Sequence, residues 1–226
     1  MTMPEPRAFA RQLTFDLPHA ESFRRDDFLA GPANEKALSL VERWPEWPGR
    51  LAAITGPRGA GKSHLAAIWA ERAGARIVAA AALTREDVPA SLATGALVVE
   101  DVVSGADEAA LFHLLNLARE DDAWLLFTAS ERLGAGFTLP DLVSRLRTVH
   151  AVALAPPDDA LLSAVLVKLF ADRQLAVGEG VIAYLLPRME RSLAAARETV
   201  AKLDTVALSK GRAVNRQLAA ELFRQE

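Results

Sequence analysis

The sequence predicts an α/β protein in which a parallel five-stranded sheet is flanked by helices and followed by an all-helical part. Short apolar runs alternate with longer amphipathic runs up to about residue 156. Such alternation is typical of a parallel sheet that is covered by helices on both faces. After Pro156 and Pro157 the pattern is helical only. We therefore predict an α/β base over residues 21–156, a helical lid over 157–226 and a flexible tail over 1–20.

The individual elements follow from periodicity and end signals. Asn34 is positioned to cap a first helix over about 35–44, and Gly74 closes the helix that starts at Lys62. The predicted strands are 50–56, 75–82, 95–102, 123–130 and 148–156. The remaining predicted helices are 107–121, 158–174 with an Asp cap, 178–189, 190–211 and 215–225.

Composition limits the classes of function. The chain has 226 residues, of which 51% are hydrophobic, so it forms one large domain or a domain with a small subdomain. It contains no cysteine, and its four histidines are scattered, so we expect neither disulfides nor a zinc site. The net charge of −3 argues against a protein that mainly grips duplex DNA. Since no apolar run reaches membrane-spanning length, and we expect no signal peptide, the predicted location is the cytoplasm, without a membrane partner.

A phosphate-binding loop is the clearest motif. The segment between the first strand and the next helix matches G-x-x-x-x-G-K-[ST] at every position. Lys62 would reach the β- and γ-phosphates of ATP, or the β-phosphate of ADP, and Ser63 would ligand Mg²⁺. The alternative, a structural glycine-rich turn, does not account for this context. The predicted cofactor-binding residues here are Gly56, Pro57, Arg58, Gly59, Ala60, Gly61, Lys62, Ser63 and His64.

Acids and hydroxyls follow the neighbouring strands. Glu100 and Asp101 end the run "ALVVED", where a phosphate-loop protein needs carboxylates for Mg²⁺ and the attacking water. We assign Glu100 to the metal side and Asp101 to the activation of water. Thr128 and Ser130 end the next strand and are candidate sensors of the γ-phosphate. The plainer interpretation is a pair of solvated acids and two ordinary strand-end hydroxyls.

These motifs together resemble the AAA+ ATPases, and within them the DnaA-related branch. "FLAGPAN" (28–34) is similar to the adenine-side signature of that branch, which implies contacts from Leu29, Ala30 and Asn34. "LPDLVSRL" resembles its Box VII segment, so the resemblance makes Arg145 an arginine finger acting in trans. "ERSLAAA" resembles the sensor 2 helix, which implies that Arg191 contacts the nucleotide. By spacing alone, each arginine is a surface residue paired with a neighbour such as Asp141 or Glu190.

The N-terminal stretch "QLTFDL" narrows the resemblance to the Hda-type regulatory inactivators of DnaA. It fits their sliding-clamp peptide Q-L-x-[LF]-x-L, with Gln12, Leu13, Phe15 and Leu17 as the clamp-binding residues. A period of two over five residues also fits a core strand. The helical end leaves little room for a DNA-reading domain, so we expect no sequence-specific DNA binding.

The resemblance implies regulatory inactivation of DnaA. The protein would dock on the sliding clamp (the β subunit of DNA polymerase III) at the replisome and stimulate ATP hydrolysis by DnaA, preventing re-initiation. Its own ADP or ATP, with Mg²⁺, would be mainly structural, with weak intrinsic ATPase activity at most. Homo-oligomers are a further option. The alternatives are a clamp-loader-like motor, a truncated DnaA-like initiation factor and a small-molecule P-loop kinase.

Overall fold

The computed structural model describes residues 23–224. Its five strands are β1 (Leu51–Thr55), β2 (Arg76–Ala79), β3 (Ala96–Glu100), β4 (Trp124–Ala129) and β5 (His150–Ala153). They form one sheet in the order β2-β3-β4-β1-β5, and every neighbouring pair is parallel. The carboxyl ends of all strands therefore lie at one edge of the sheet, and their amino ends at the other.

Five helices alternate with the strands of the sheet, and a sixth follows the last strand. They are α1 (Glu35–Glu42), α2 (Lys62–Ala73), α3 (Val88–Leu92), α4 (Glu108–Glu120), α5 (Pro140–Thr148) and α6 (Asp159–Asp172). Three more follow: α7 (Glu179–Leu185), α8 (Leu193–Lys210) and α9 (Arg216–Leu222). None of the helices within residues 23–224 is long and apolar enough to cross a membrane.

The central strands β1, β3 and β4 are buried on both faces because they are apolar at almost every position, whereas the edge strands β2 and β5 are largely exposed. On β1, Ala53 joins the apolar cluster that includes α3, α4 and α5, while Ala52 and Ile54 join the cluster that includes α1 and α2. On β4, Phe127 joins the first of these clusters and Leu126 joins the second. The predicted parallel sheet with helices on both faces is confirmed.

Some predicted bounds are too wide, and two helices were not predicted. The predicted strand 75–82 ends at Ala79 and continues as a 3₁₀ turn over Ala80–Ala82. An alanine run has little preference for a strand, and β2 is an edge strand with one neighbour only. The short helices α3 and α5 each begin with a proline in the first turn, where its missing N–H costs nothing.

The helices α6 to α9 pack around an apolar cluster of their own. Phe170, Leu203 and Leu218 are fully buried in it. Asp158 caps α6, since its carboxylate accepts from the Leu161 N–H across 2.7 Å, and this predicted cap is confirmed. The domain boundaries themselves stay predictions.

Candidate nucleotide site

The phosphate loop connects the carboxyl end of β1 to the first turn of α2. Gly56 has a φ of 146°, and a Cβ on it would lie 2.6 Å from the carbonyl oxygen of Leu154. Gly59 has a φ of 71°, and a Cβ there would lie 2.9 Å from Ser192 Cβ. Both positions therefore require glycine for backbone conformation and for space. The loop and the start of α2 present backbone N–H groups of the kind that bind phosphate.

Lys62 is held inside this loop. Its Nζ donates to the carbonyl oxygens of Gly56 and Pro57, each across 2.9 Å, and the residue is only 7% exposed. Burial lowers the pKa of the Lys62 ammonium, and the charge of Arg58 lowers it further, whereas Asp101 raises it. The ammonium thus occupies the loop that a phosphate would fill, next to Asp101, whose charge partly offsets the lowering of its pKa. A phosphate would replace the two carbonyl contacts with a stronger, charged one.

The two predicted acids and Thr128 meet at the carboxyl edge of the sheet. Glu100 is the last residue of β3, and Asp101 follows it with a φ of 54°. The Asp101 N–H donates to the Thr128 hydroxyl across 3.0 Å, and Thr128 is 1% exposed. Thr128 thus fixes the backbone that carries Asp101, a role that the sequence did not suggest. Ser130 follows the end of β4 and is half-buried.

The donor set fits a magnesium ion. Glu100 Oε1 is buried and has no hydrogen-bond partner among residues 23–224, which is costly for a carboxylate oxygen. The Ser63 residue is exposed at the start of α2. The same part of the chain contains no cluster of three or more His, Asp or Glu side chains able to hold a metal by itself. Mg²⁺ is usually bound by one or two protein ligands together with substrate phosphates and water, which agrees with this arrangement.

The "FLAGPAN" segment is fastened onto α2. Asn34 is 3% exposed, and its Oδ1 accepts from the Gly31 N–H across 2.8 Å while its Nδ2 donates to the Leu29 carbonyl across 2.9 Å. Phe28 packs edge-on against His64, with ring centroids 5.2 Å apart. Asn34 does precede α1, but its side chain does not cap the helix, so the predicted cap is wrong in that respect. The side chain instead shapes the loop that carries Leu29 and Ala30.

The start of α8 lies directly on the phosphate loop. The Leu193 N–H donates to the Gly59 carbonyl across 2.8 Å, and the Ser192 hydroxyl caps α8 by accepting from Ala195 N–H. Arg191, just before this cap, pairs with Asp159 of α6 across 2.8 Å. Both of these charged side chains are more than half exposed. A contact between Arg191 and a nucleotide stays a prediction.

Arg145 lies at the other edge of the sheet. Its guanidinium lies over the ring of Phe112, 4.7 Å from the centroid, and donates to the side-chain oxygen of Asn116. It lines a cavity of about 390 Å³ that also includes Leu51, the first residue of β1. Since the phosphate loop follows the last residue of β1, the strand alone separates the two places by about 13 Å.

A carboxylate from α4 fastens the helix that carries Arg145. The Glu108 side chain accepts from the N–H of Leu139 across 2.6 Å and from the N–H of Thr138 across 3.0 and 3.1 Å. These two residues lead into α5, whose first turn starts at Pro140. The backbone hydrogen bonds lower the pKa of Glu108. The sequence indicated no role for this residue, because its partners lie about thirty positions away.

The predicted clamp-binding residues Gln12, Leu13, Phe15 and Leu17 lie outside the described residues. Their assignment rests on the sequence alone.

Comparison with known proteins identifies the fold. No protein-family model and no curated protein sequence matches the chain. Domain III of the Thermotoga maritima replication initiation protein DnaA is similar over 90% of this chain and 96% of that one, with a TM-score of 0.76 and 20% identity. AMPPCP-bound DnaA from Aquifex aeolicus is similar over 82% and 66%, with a TM-score of 0.64 and 20% identity. The Thermotoga maritima RuvB Holliday junction branch migration motor is similar over 90% and 72%, with a TM-score of 0.69 and 15% identity.

These likenesses show the fold of the chain. The chain has the AAA+ fold, with the five-stranded parallel sheet and the trailing helices that the sequence predicts. Within that fold it is similar to the DnaA domain and to RuvB alike.

Proposed function

We propose that this chain is a nucleotide-bound regulator that inactivates the replication initiator DnaA by stimulating its ATP hydrolysis. One observation carries the proposal. The chain has a complete phosphate loop at the carboxyl edge of its sheet, while Arg145 lies at the amino edge beside Leu51. An arginine held there is far from the chain's own phosphates and accessible to those of a neighbour.

The chain's own nucleotide is ADP or ATP. The loop glycines, Lys62 and the Glu100 oxygen, which has no hydrogen-bond partner in the described part of the chain, form a site suited to phosphates with Mg²⁺. A bound AMPPCP in the similar DnaA structure supports an adenine nucleotide. Mg²⁺, when bound, would neutralise phosphate charge. The hydrogen bond from the Leu193 N–H to the Gly59 carbonyl joins α8 to the loop. We therefore infer that the bound nucleotide mainly stabilises this contact.

Arg145 would act on the ATP of DnaA. A supplied arginine stabilises the charge that develops on the transferred phosphoryl group and accelerates hydrolysis by about 10³–10⁵. Phe112 and Asn116 hold the guanidinium, and no carboxylate of residues 23–224 forms an ion pair with it, so none of these residues neutralises its charge before a phosphate arrives. The likeness to DnaA domain III supports a contact between two AAA+ folds.

The sliding clamp would bring the two proteins together. Residues 12–17 match the clamp peptide in sequence, and a tethered partner gains a high effective concentration. This step rests on those residues alone. With this step, the inactivation of DnaA would depend on sliding clamp that is loaded on replicating DNA.

A motor that hydrolyses its own ATP is the second candidate. The likeness to the RuvB branch migration motor favours it, as does the buried Glu100 oxygen near Lys62, which none of residues 23–224 hydrogen-bonds. A motor would show strong ATPase activity without DnaA or clamp. A truncated initiation factor differs from both, because it would not shorten the lifetime of ATP on DnaA.

The test measures hydrolysis of ATP that is prebound to DnaA, with the chain and DNA-loaded clamp added separately and together. We expect stimulation only when both are present, and slow hydrolysis by the chain alone. Fast hydrolysis by the chain alone, without an effect on DnaA, would establish the motor instead.

A further inference from the structure

The cavity beside Arg145 is lined by three arginines. Arg50 precedes β1, Arg119 is in the last turn of α4 and Arg145 is in the last turn of α5. Among the described residues, Asp122 is the one acid in the lining. The cavity, which we call the arginine cavity, thus has a formal charge of about +2 at neutral pH.

The three guanidinium groups differ in how they are held. Arg50 is fixed: it donates to the Asp122 carbonyl across 2.6 Å and lies over the ring of Trp124 at 5.2 Å. Arg145 is fixed by Asn116 and by the ring of Phe112. Arg119 is exposed, and its side chain has no hydrogen bond or ion pair with any of residues 23–224.

This arrangement suits a multiply charged anion. Of the three arginines, only Arg50 forms an ion pair with any of residues 23–224: Asp122 lies 3.6 Å from its Nε, and that carboxylate side chain is 79% exposed. Guanidinium groups are planar forks that match the oxygens of phosphate. A volume of about 390 Å³ is within the range of small-ligand sites and leaves room for a triphosphate.

We propose that the arginine cavity is a phosphate-binding site in which Arg119 acts with Arg145, and that its ligand is the polyphosphate end of a nucleotide presented by another AAA+ chain. This inference rests on the proposed function for the source of the ligand. Arg119 would contact the phosphates directly, and Arg50 would form the fixed cationic wall. The sequence motif points to Arg145 alone, whereas the assignment of Arg119 to the site rests on its place in the lining of the cavity.

The first experiment tests the cavity without any partner. Inorganic tripolyphosphate is titrated calorimetrically into the full chain carrying Lys62→Ala, so that the phosphate loop does not compete, and also into unaltered chain saturated with ADP. We expect binding at one site, weakened about tenfold or more by Arg119→Ala, because a charge-assisted hydrogen bond is lost. Arg85→Ala is the matched control, since Arg85 is exposed and does not line the arginine cavity. Equal affinity for the Arg119→Ala and Arg85→Ala chains would overturn the proposal.

The second experiment tests the source of the phosphates. Stimulated hydrolysis of DnaA-bound ATP is measured with Arg119→Ala and Arg85→Ala chains in the presence of DNA-loaded clamp. We expect the maximal stimulated rate to fall at least tenfold for Arg119→Ala only. If the unaltered chain stimulates and both variants match it, the inference fails while the proposed function stands. If the unaltered chain does not stimulate, the proposed function fails, and a partner's nucleotide is excluded as the ligand.

Discussion

The backbone N–H of Leu193 donates a hydrogen bond to the carbonyl of Gly59 across 2.8 Å, so the first helical residue of α8 touches the phosphate loop. This contact joins the helical cluster of α6 to α9 to the nucleotide site without any charged side chain. A change in the conformation of the phosphate loop therefore alters the position of the α8 N-terminus, and a shift of α8 alters the loop.

Gly59→Ala tests this contact. The new Cβ would lie 2.9 Å from Ser192 Cβ and 3.1 Å from Ala194 Cβ, at a φ of 71° that alanine disfavours. We expect the free energy of unfolding to fall by about 1–3 kcal/mol and the nucleotide affinity to fall with it. Urea denaturation and a nucleotide titration measure the two effects.

Gly180→Ala is the matched control for that substitution. Gly180 is inside α7, has an ordinary φ, and a Cβ on it meets nothing within 4 Å. Alanine there should stabilise the helix by up to about 1 kcal/mol. Equal effects of the two substitutions would show that Gly59 and Ser192 are not in close contact.

Asn34→Ala tests the loop that carries Leu29 and Ala30. Two hydrogen bonds of a buried amide are lost, and the Gly31 N–H and the Leu29 carbonyl lose their partners. We expect a loss of about 1–3 kcal/mol in the free energy of unfolding, and weaker binding of the adenine base. Lys36→Ala, at an exposed position of α1, should change neither quantity.

Glu108 gives a pH dependence with a definite sign. Its pKa is lowered in the folded protein by the Thr138 and Leu139 N–H groups. A carboxylate with a lowered folded pKa stabilises the fold above its unfolded pKa, about 4.3, and that stabilisation is lost as the pH falls through the folded value. We expect Glu108→Gln to lower the urea midpoint at pH 7, and the difference from the unaltered chain to vanish in acid.

Glu71→Gln is the control for Glu108→Gln, because Glu71 is an exposed residue of α2. Its midpoint should follow that of the unaltered chain at every pH. A difference in midpoint between the Glu108→Gln chain and the unaltered chain that stays constant from pH 7 down to acid would contradict the anchoring of Thr138 and Leu139 by an ionised carboxylate.

The clamp peptide is tested by comparing alanine substitutions at alternate positions of the segment 12–17. Leu13→Ala and Phe15→Ala remove apolar side chains at the specified positions of the motif, whereas Thr14→Ala and Asp16→Ala change its unspecified positions. We expect only the first pair to abolish retention on immobilised sliding clamp. Equal retention of all four variants would remove the clamp from the proposed function.

The sequence was most informative where one local pattern determined the structure. The β1–loop–α2 unit follows from a strand, fixed glycine spacing and a helix within 23 residues, and its bounds differ from the prediction by one residue at most. The sheet is confirmed, and its three central strands are apolar at almost every position. Helix α5 was missed because only Leu142 and Leu146 of its nine residues are buried, too few to give a helical period.

Side-chain partners were the part that the sequence could not predict. Arg191 pairs with Asp159 rather than with the adjacent Glu190, and Arg145 contacts Asn116 rather than Asp141. These partners are about thirty positions away along the chain and become neighbours only when the helices pack. Spacing along the sequence therefore predicts an ion pair with the nearest opposite charge, whereas the observed partners are set by the packing of the helices.

The most direct measurement is the rate of hydrolysis of DnaA-bound ATP with DNA-loaded clamp and the Arg145→Ala chain. Arg147→Ala, on the same helix but exposed and outside the arginine cavity, is the control. The account predicts that Arg145→Ala loses nearly all stimulation, since a supplied arginine is worth about 10³ or more in rate, and that Arg147→Ala retains it. Full stimulation by the Arg145→Ala chain would contradict the central claim.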